Sequence, residues 1–301
     1  MTMDSISDGN RTLPELVDPV SAANALLSQS SLEATPKQIV DLGATAPEWM
    51  HQGMRVYVPF LPNAAFENAF SACETLLGWG MKPVPHLPAR SVPDAETLRA
   101  WLASLQRIGV KEVLLIAGDT EKALGPYQDT LALLASGILT EYGLTGMGVA
   151  GHPEGHPKAD NTALKEALMF KRDYAKAHGL ELWVVTQFSF DDESLIKWLD
   201  EHQTILSSIP VYLGLAGPTR LKNLLAYAAQ CGVSTSAKAL RKNMNAARLL
   251  RPWTPDALFR TLCEYKATHP STSLQGIHLF PFGGLKQSNQ WLSSAHLLVS
   301  S

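Results

Sequence analysis

The sequence predicts an α/β protein, a (β/α)8 TIM barrel with an N-terminal extra helix. Three observations predict it: eight short apolar runs, helix-like segments between them, and no GxGxxG after an early strand. A strand and helix rhythm calls for a parallel sheet covered by helices, and the missing glycine fingerprint argues against a doubly wound open sheet. At 301 residues with 46% hydrophobic content, the chain can form one such barrel. Residues 1–301 are therefore expected to form a single barrel domain, with 1–15 a flexible N-terminus.

A helix near 18–29 is expected to precede the first strand, SLEAT (31–35). The other strands are RVYVPF (55–60), KPVPHL (82–87), EVLLIAGD (112–119), GMGVAGH (146–152), LELWVVTQ (180–187), IPVYLGL (209–215) and GIHLFPF (276–282). Helical patterns fall at 64–80, 94–109, 125–139, 161–179, 191–203 and 217–232. Asp94 and Asp191 stand where N-caps belong, and Gly80, Gly109, Gly179 and Gly232 follow last turns. The longer stretch 233–270 leaves room for two helices before the last strand.

A net charge of -3 gives no basic footprint, so neither nucleic acid nor an anionic membrane is expected as a partner. No run of 18 apolar residues and no apolar leader occur, which predicts a soluble, cytoplasmic protein. The three cysteines, Cys73, Cys231 and Cys263, lie far apart without CxxC spacing, and each reads as a small buried hydrophobe. The sequence is compatible with a homo-oligomer and does not specify one.

In a barrel the active site lies at the C-terminal ends of the strands. There this chain places Glu33, His86, Asp119, His152 with Glu154 and His156, and Gln187. Any one of these could be a loop-satisfying polar group, but five strand ends agree. His152, Glu154 and His156 form a conceivable ligand set, yet GHPEGHP is a proline-bearing loop without the helical spacing of HExxH, so no metal is expected. No GxSxG occurs, and no cysteine adjoins a candidate base. Glu33 and Asp119 remain the best chemical groups, and a desolvated mouth would raise the pKa of at least one toward that of a general acid.

The motifs SLEATP, PHL, LLIAGD, GVAGHPEGHP, FKR and VVTQFSFD, in this order over about 31–190, resemble the flavin-dependent methylenetetrahydrofolate reductase family. The resemblance implies a barrel that uses FAD to reduce methylenetetrahydrofolate to 5-methyltetrahydrofolate, with a folate as substrate. Glu33 matches the family's general acid, Asp119 the aspartate that contacts the pterin near the flavin, and Gln187 the glutamine at the pterin edge. His86, Gly118, Asp119, Tyr127, Ala150, His152, His156, Lys171 and Arg172 fall at or near positions that hold FAD. His152 replaces a tyrosine of better-known members.

Other segments depart from the family. Strand two carries Pro59 where a threonine-bearing ending is usual, and Leu221 occupies the place of a phenylalanine that stacks substrate and nicotinamide. The tail HLFPFGGLKQSNQW is unrelated. These departures leave NAD(P)H as electron donor open. Two other readings remain: a methyltetrahydrofolate-dependent methyltransferase barrel without flavin, and a phosphate-ester barrel in which FPFGG (280–284) forms a phosphate nest.

Overall fold

Strand order is the first thing the structure, a computed structural model, settles. It describes residues 17–61, 65–231, 233, 237 and 252–300. Eight parallel strands close on themselves in sequence order, each paired with the next and the last with the first. They are β1 (Ser31–Glu33), β2 (Arg55–Val58), β3 (Lys82–Pro88), β4 (Glu112–Ile116), β5 (Gly146–Gly151), β6 (Glu181–Thr186), β7 (Val211–Ala216) and β8 (Leu274–Phe280). All eight expected strands are present, and the fold is the expected (β/α)8 barrel.

Strand periodicity divides the core in two. Tyr57, Val84, Leu114, Trp183, Val185 and Tyr212 point inward and form one cluster. Their neighbours Val56, Val113, Leu115, Val184, Leu213 and Ile277 point outward, into the larger cluster under the helices. Glycines on β5 make room for the interior: a Cβ on Gly148 would lie 2.7 Å from Trp183 Nε1. That indole donates to Tyr57 Oη at 2.8 Å.

The N-terminal helix α1 (Pro19–Ser28) starts at Asp18, whose carboxylate accepts from the amides of Val20 and Ser21. A helix the sequence reading missed, α2 (Pro36–Asp41), begins with a capping box: Thr35 Oγ1 accepts from Gln38 N, and Gln38 Oε1 from Thr35 N. It ends β1 earlier than expected. The helices α3 (Phe66–Gly78) and α4 (Ala95–Ile108) follow. Asp94 caps α4 as expected, Gly109 closes it with φ +91°, and it buries Leu98, Leu102 and Leu105 along one face.

The helix expected over 125–139 is shorter. Asp129 caps α5 (Thr130–Ala135), and Gly137 at φ +72° turns the chain into a tight turn. Next come α6 (Asn161–Ala177), α7 (Asp192–Glu201) capped by Asp191, and one-turn α8 (Gln203–Leu206). The expected N-terminal tail 1–15, Gly232 and most of 233–251 lie outside the described residues.

Segment 217–232 departs from expectation in role. Its helix, α9 (Leu221–Gln230), was expected as an ordinary crossover helix. Instead it packs with Phe188, Ala216, Trp253, Phe280 and Phe282 in a small cluster at the C-terminal ends of β6, β7 and β8. An antiparallel bridge between Thr219 and Trp253 ties together the two ends of this excursion. The helix that lies against the barrel here is α10 (Asp256–Thr268), packed on α1 and α7. After β8 comes α11 (Leu285–Ser294), anchored by Trp291 Nε1 donating to Asp256 at 2.7 Å.

Candidate active site

β1 and β3 bring together the first two groups at the mouth. Glu33 Oε2 lies 3.6 Å from His86 Nε2, with side chains only 23% and 11% exposed. Burial raises the Glu33 carboxyl to about 7 and depresses His86 to about 4. Near neutral pH the histidine is therefore uncharged, and the carboxyl keeps its proton far above the usual carboxylate range. No ion pair fixes them, and His86 Nε2 is buried without a hydrogen-bond partner.

Two residues that the sequence reading passed over complete this floor. His278 on β8 shares a 2.9 Å hydrogen bond with Ser31 Oγ, both side chains buried. Tyr57 presents its ring edge-on to both histidines, at 4.5 Å from His278 and 6.5 Å from His86. Burial and the nearby His86 depress His278 to about 3. The signal was available in GIHLF, where His278 shares its inward parity with Phe280.

Asp119 follows β4 on an exposed bend. The turn uses Gly118 at φ +90°, where a Cβ would sit 3.1 Å from Pro88 Cβ. Asp119 and Glu33 both act on the thiol of Cys231, which partial desolvation and then these two charges push up to about 11. The two carboxylates thus belong to one region, and the C-terminal end of α9 stands over it. Cys73 and Cys263 are buried, but Cys231 is exposed, against expectation, because the excursion carries it out of the core. Gln187 lies at the end of β6; its Oε1 accepts from Phe188 N at 3.0 Å, which leaves the amide NH2 group as donor.

The loops after β3 and β5 and helix α6 supply a second group. His152 and His156 stack edge to face at 4.9 Å. Burial depresses His152 to about 4, with His156 and Lys171 adding to the shift. Lys171 is lowered to about 8 by burial, partly offset by Asp129. His156 is lowered by burial and by Arg90 and Lys158, two cations that the sequence reading missed. Ala150, on β5, is half-buried beside this group. Among the described residues, no group of three or more His, Cys, Asp or Glu could hold a metal ion.

Three expected residues stand apart. Tyr127 is buried in the main core below the β4–α5 loop. Leu221 is 5% exposed inside the excursion's cluster and does not face an open mouth. Arg172 pairs with Asp173 at 2.9 Å and lines a cavity of about 730 Å3 with Arg55, Glu181 and Trp183 at the N-terminal end of the barrel. It points away because α6 runs down the barrel wall. A second cavity, about 520 Å3, also lies at that end, so cavity size does not mark the chemical centre.

The fold and its strand-end chemistry define a (β/α)8 barrel with a weakly acidic carboxyl and a separate cluster of imidazoles and cations at its mouth. The family model for methylenetetrahydrofolate reductase matches residues 68–248, more than half of the chain. The chain belongs to the methylenetetrahydrofolate reductase family, a family of oxidoreductases. It is 27% identical over 166 residues to methylenetetrahydrofolate reductase (NADH) 1 of Arabidopsis thaliana, covering 51% of this chain and 28% of that protein. The chain thus matches little more than a quarter of that relative's length. Among solved structures, dihydropteroate synthase from Thermus thermophilus aligns at 11% identity and a TM-score of 0.42, covering 90% of this chain and 95% of that one. A likeness of that level says nothing about chemistry.

Proposed function

We propose that the protein interconverts 5,10-methylenetetrahydrofolate and 5-methyltetrahydrofolate with FAD. The observation that carries this reading is the Glu33 carboxyl, raised to about 7 beside an uncharged His86 at the barrel mouth. An ordinary surface carboxyl is ionised at neutral pH and has no proton to give; this one holds it. Glu33 protonates the folate nitrogen as the methylene bridge opens, and takes the proton back in the reverse direction.

The residues fit a flavin dinucleotide. Arg90, Lys158 and Lys171 lie near two imidazoles that burial, and secondarily these cations, hold uncharged, and a diphosphate would complement the cations. The orphaned His86 Nε2 offers a buried polar atom at the edge of the same mouth. Bound there, the flavin supplies hydride transfer to and from the folate. Asp119 and the free amide NH2 of Gln187 pair with the pterin's amide and guanidine-like edge and orient it over Glu33. The Arabidopsis relative carries NADH in its name. In this chain Leu221 is buried and cannot stack on a nicotinamide, so we assign 5-methyltetrahydrofolate, rather than NAD(P)H, as the ready reductant of the flavin.

The test is anaerobic mixing of flavin-loaded protein with 5-methyltetrahydrofolate while the flavin absorbance is followed. Bleaching is expected. A protein that binds the folate yet purifies without flavin and cannot take it up would instead be the methyltransferase barrel.

A further inference from the structure

The cavity of about 520 Å3 at the N-terminal end of the barrel has no part in the proposed reaction. Arg55 and Lys82 are the first residues of β2 and β3 and stand opposite each other in the parallel register. They share the inward parity of Tyr57 and Val84, two residues further along each strand. Both therefore reach the base of the barrel from inside, and both line the cavity. The buried layer of Tyr57, Val84, Leu114 and Trp183 separates them from Glu33 at the mouth.

Charge at the base is not balanced. Arg55 is committed to Glu112 through Nε and Nη2, and its Nη1 donates to Tyr212 Oη at 3.2 Å. A guanidinium carries five N–H groups, so one on each terminal nitrogen is left over. Lys82 is exposed and forms no ion pair with a described carboxylate. Among the described residues that line this cavity none is Asp or Glu, although the chain carries a net charge of -3. The neighbouring cavity of about 730 Å3 shares Arg55 and Tyr212 but counts Asp173 and Glu181 in its lining. A carboxylate-free lining thus marks one side of Arg55 only.

The walls on that side are held in place by the fold. Gly53 N donates to Gly80 O and Lys82 N to Met54 O, both at 2.9 Å, which pins the turn before β2 to the turn before β3. The Gln52 amide lies against Gly80, where any Cβ would collide with it. Trp49 is half-buried, packs on the main core and also lines the cavity. Leu27 and Leu292, half-buried as well, come from α1 and α11. An indole and two leucines offer a flat apolar body a place beside the cations, in a volume of the size that holds small ligands.

We infer that this cavity binds a small organic anion built on a planar ring, its oxyanion met by Lys82 and the spare N–H groups of Arg55 and its ring laid against Trp49. Two sources share this chemistry: an aromatic carboxylate and the phosphate of a nucleotide. The site stands whether or not the proposed reaction does.

Isothermal titration of the full chain with benzoate and with uridine monophosphate, at fixed ionic strength with chloride as control, tests it. Saturable binding of at least one is expected, weakened at least tenfold by Lys82→Glu and several-fold by Trp49→Leu, and unchanged by Lys171→Glu, which alters the mouth. Lys82 is exposed and unpaired, so Lys82→Glu should unfold at the temperature of the parent. The tighter ligand names the source, and either order supports the site. Absence of saturable binding by both, equal affinity in the parent and Lys82→Glu, or loss of binding in Lys171→Glu overturns it. No folate is present in this titration, so its failure leaves the flavin-bleaching result untouched.

Discussion

In the proposed reaction the chemistry turns on Glu33, and its environment makes a pH-resolved prediction. Glu33→Gln keeps the shape and removes the proton, so turnover should fall by roughly a hundredfold or more while flavin content is unchanged. In the parent, turnover in the reductive direction should decline above about pH 7 as the carboxyl ionises, and the variant should lose that limb. Steady-state rates from pH 5.5 to 8.5 check both; turnover within threefold of the parent would remove Glu33 from the acid's role. Asp119→Asn and Gln187→Ala should each weaken folate binding about tenfold, since each leaves a pterin group unpaired, and fluorescence titration reads this. Glu33, Asp119 and Gln187 stood out as candidates because a polar group at the end of an apolar strand has few structural excuses, and the structure places all three at or just beyond strand ends. Tyr57, His278 and Ser31 were not, because an inward-facing polar residue within a strand reads as core until the barrel closes around it. Arg90 and Lys158 were hidden in loops, where a lone cation carries no periodic signal.

Among the elements, α9 separates what patterning can tell from what it cannot. Its apolar spacing announced a helix, but whether that helix covers the barrel wall or stands over the mouth depends on a pairing across more than thirty residues, Thr219 with Trp253, that no local pattern encodes. The strands were easier. Most are short apolar runs between turn signals, and only the ends shifted, where Thr35 caps a helix or Gly118 turns the chain. Because α9 buries Leu221 in the cluster with Phe188 and Phe280, that position offers no aromatic face to the mouth. Flavin reduction by NADH or NADPH should therefore be at least tenfold slower than by 5-methyltetrahydrofolate at equal concentration. An anaerobic stopped-flow trace showing rapid reduction by micromolar NADH would contradict the role given to α9.

Across the whole molecule, acid lability follows from histidines held neutral. His86 and His152 are depressed to about 4 and His278 to about 3, against 6.5 for a free imidazole. Between pH 6.5 and 4 the unfolded chain binds more protons at these sites, so stability falls as pH falls. Glu33 acts in the opposite sense: its carboxyl is raised, so it costs stability as pH rises from 4.5 to 7. Three imidazoles outweigh one carboxyl, and acidification from pH 6.5 to 4.5 should cost on the order of 3 kcal/mol. Urea midpoints across that range measure it, and His278→Asn should flatten the slope. Beneath these histidines Tyr57, Val84, Leu114 and Trp183 are each at most 6% exposed, and below them Arg55 clasps Glu112 through two hydrogen bonds of 2.7 and 2.8 Å, its guanidinium 4.5 Å from the centre of the Trp183 ring. The barrel is in effect a vessel corked at its base. Protons reach Glu33 from the mouth, and a folate seated above it in the proposed reaction would shut off that traffic. In the proposed reaction the proton used in each cycle is then the one Glu33 loaded before the substrate bound; it ends on a folate nitrogen that exchanges with water, so single-turnover rates should follow the pH at which the substrate was bound and not the pH of a later jump.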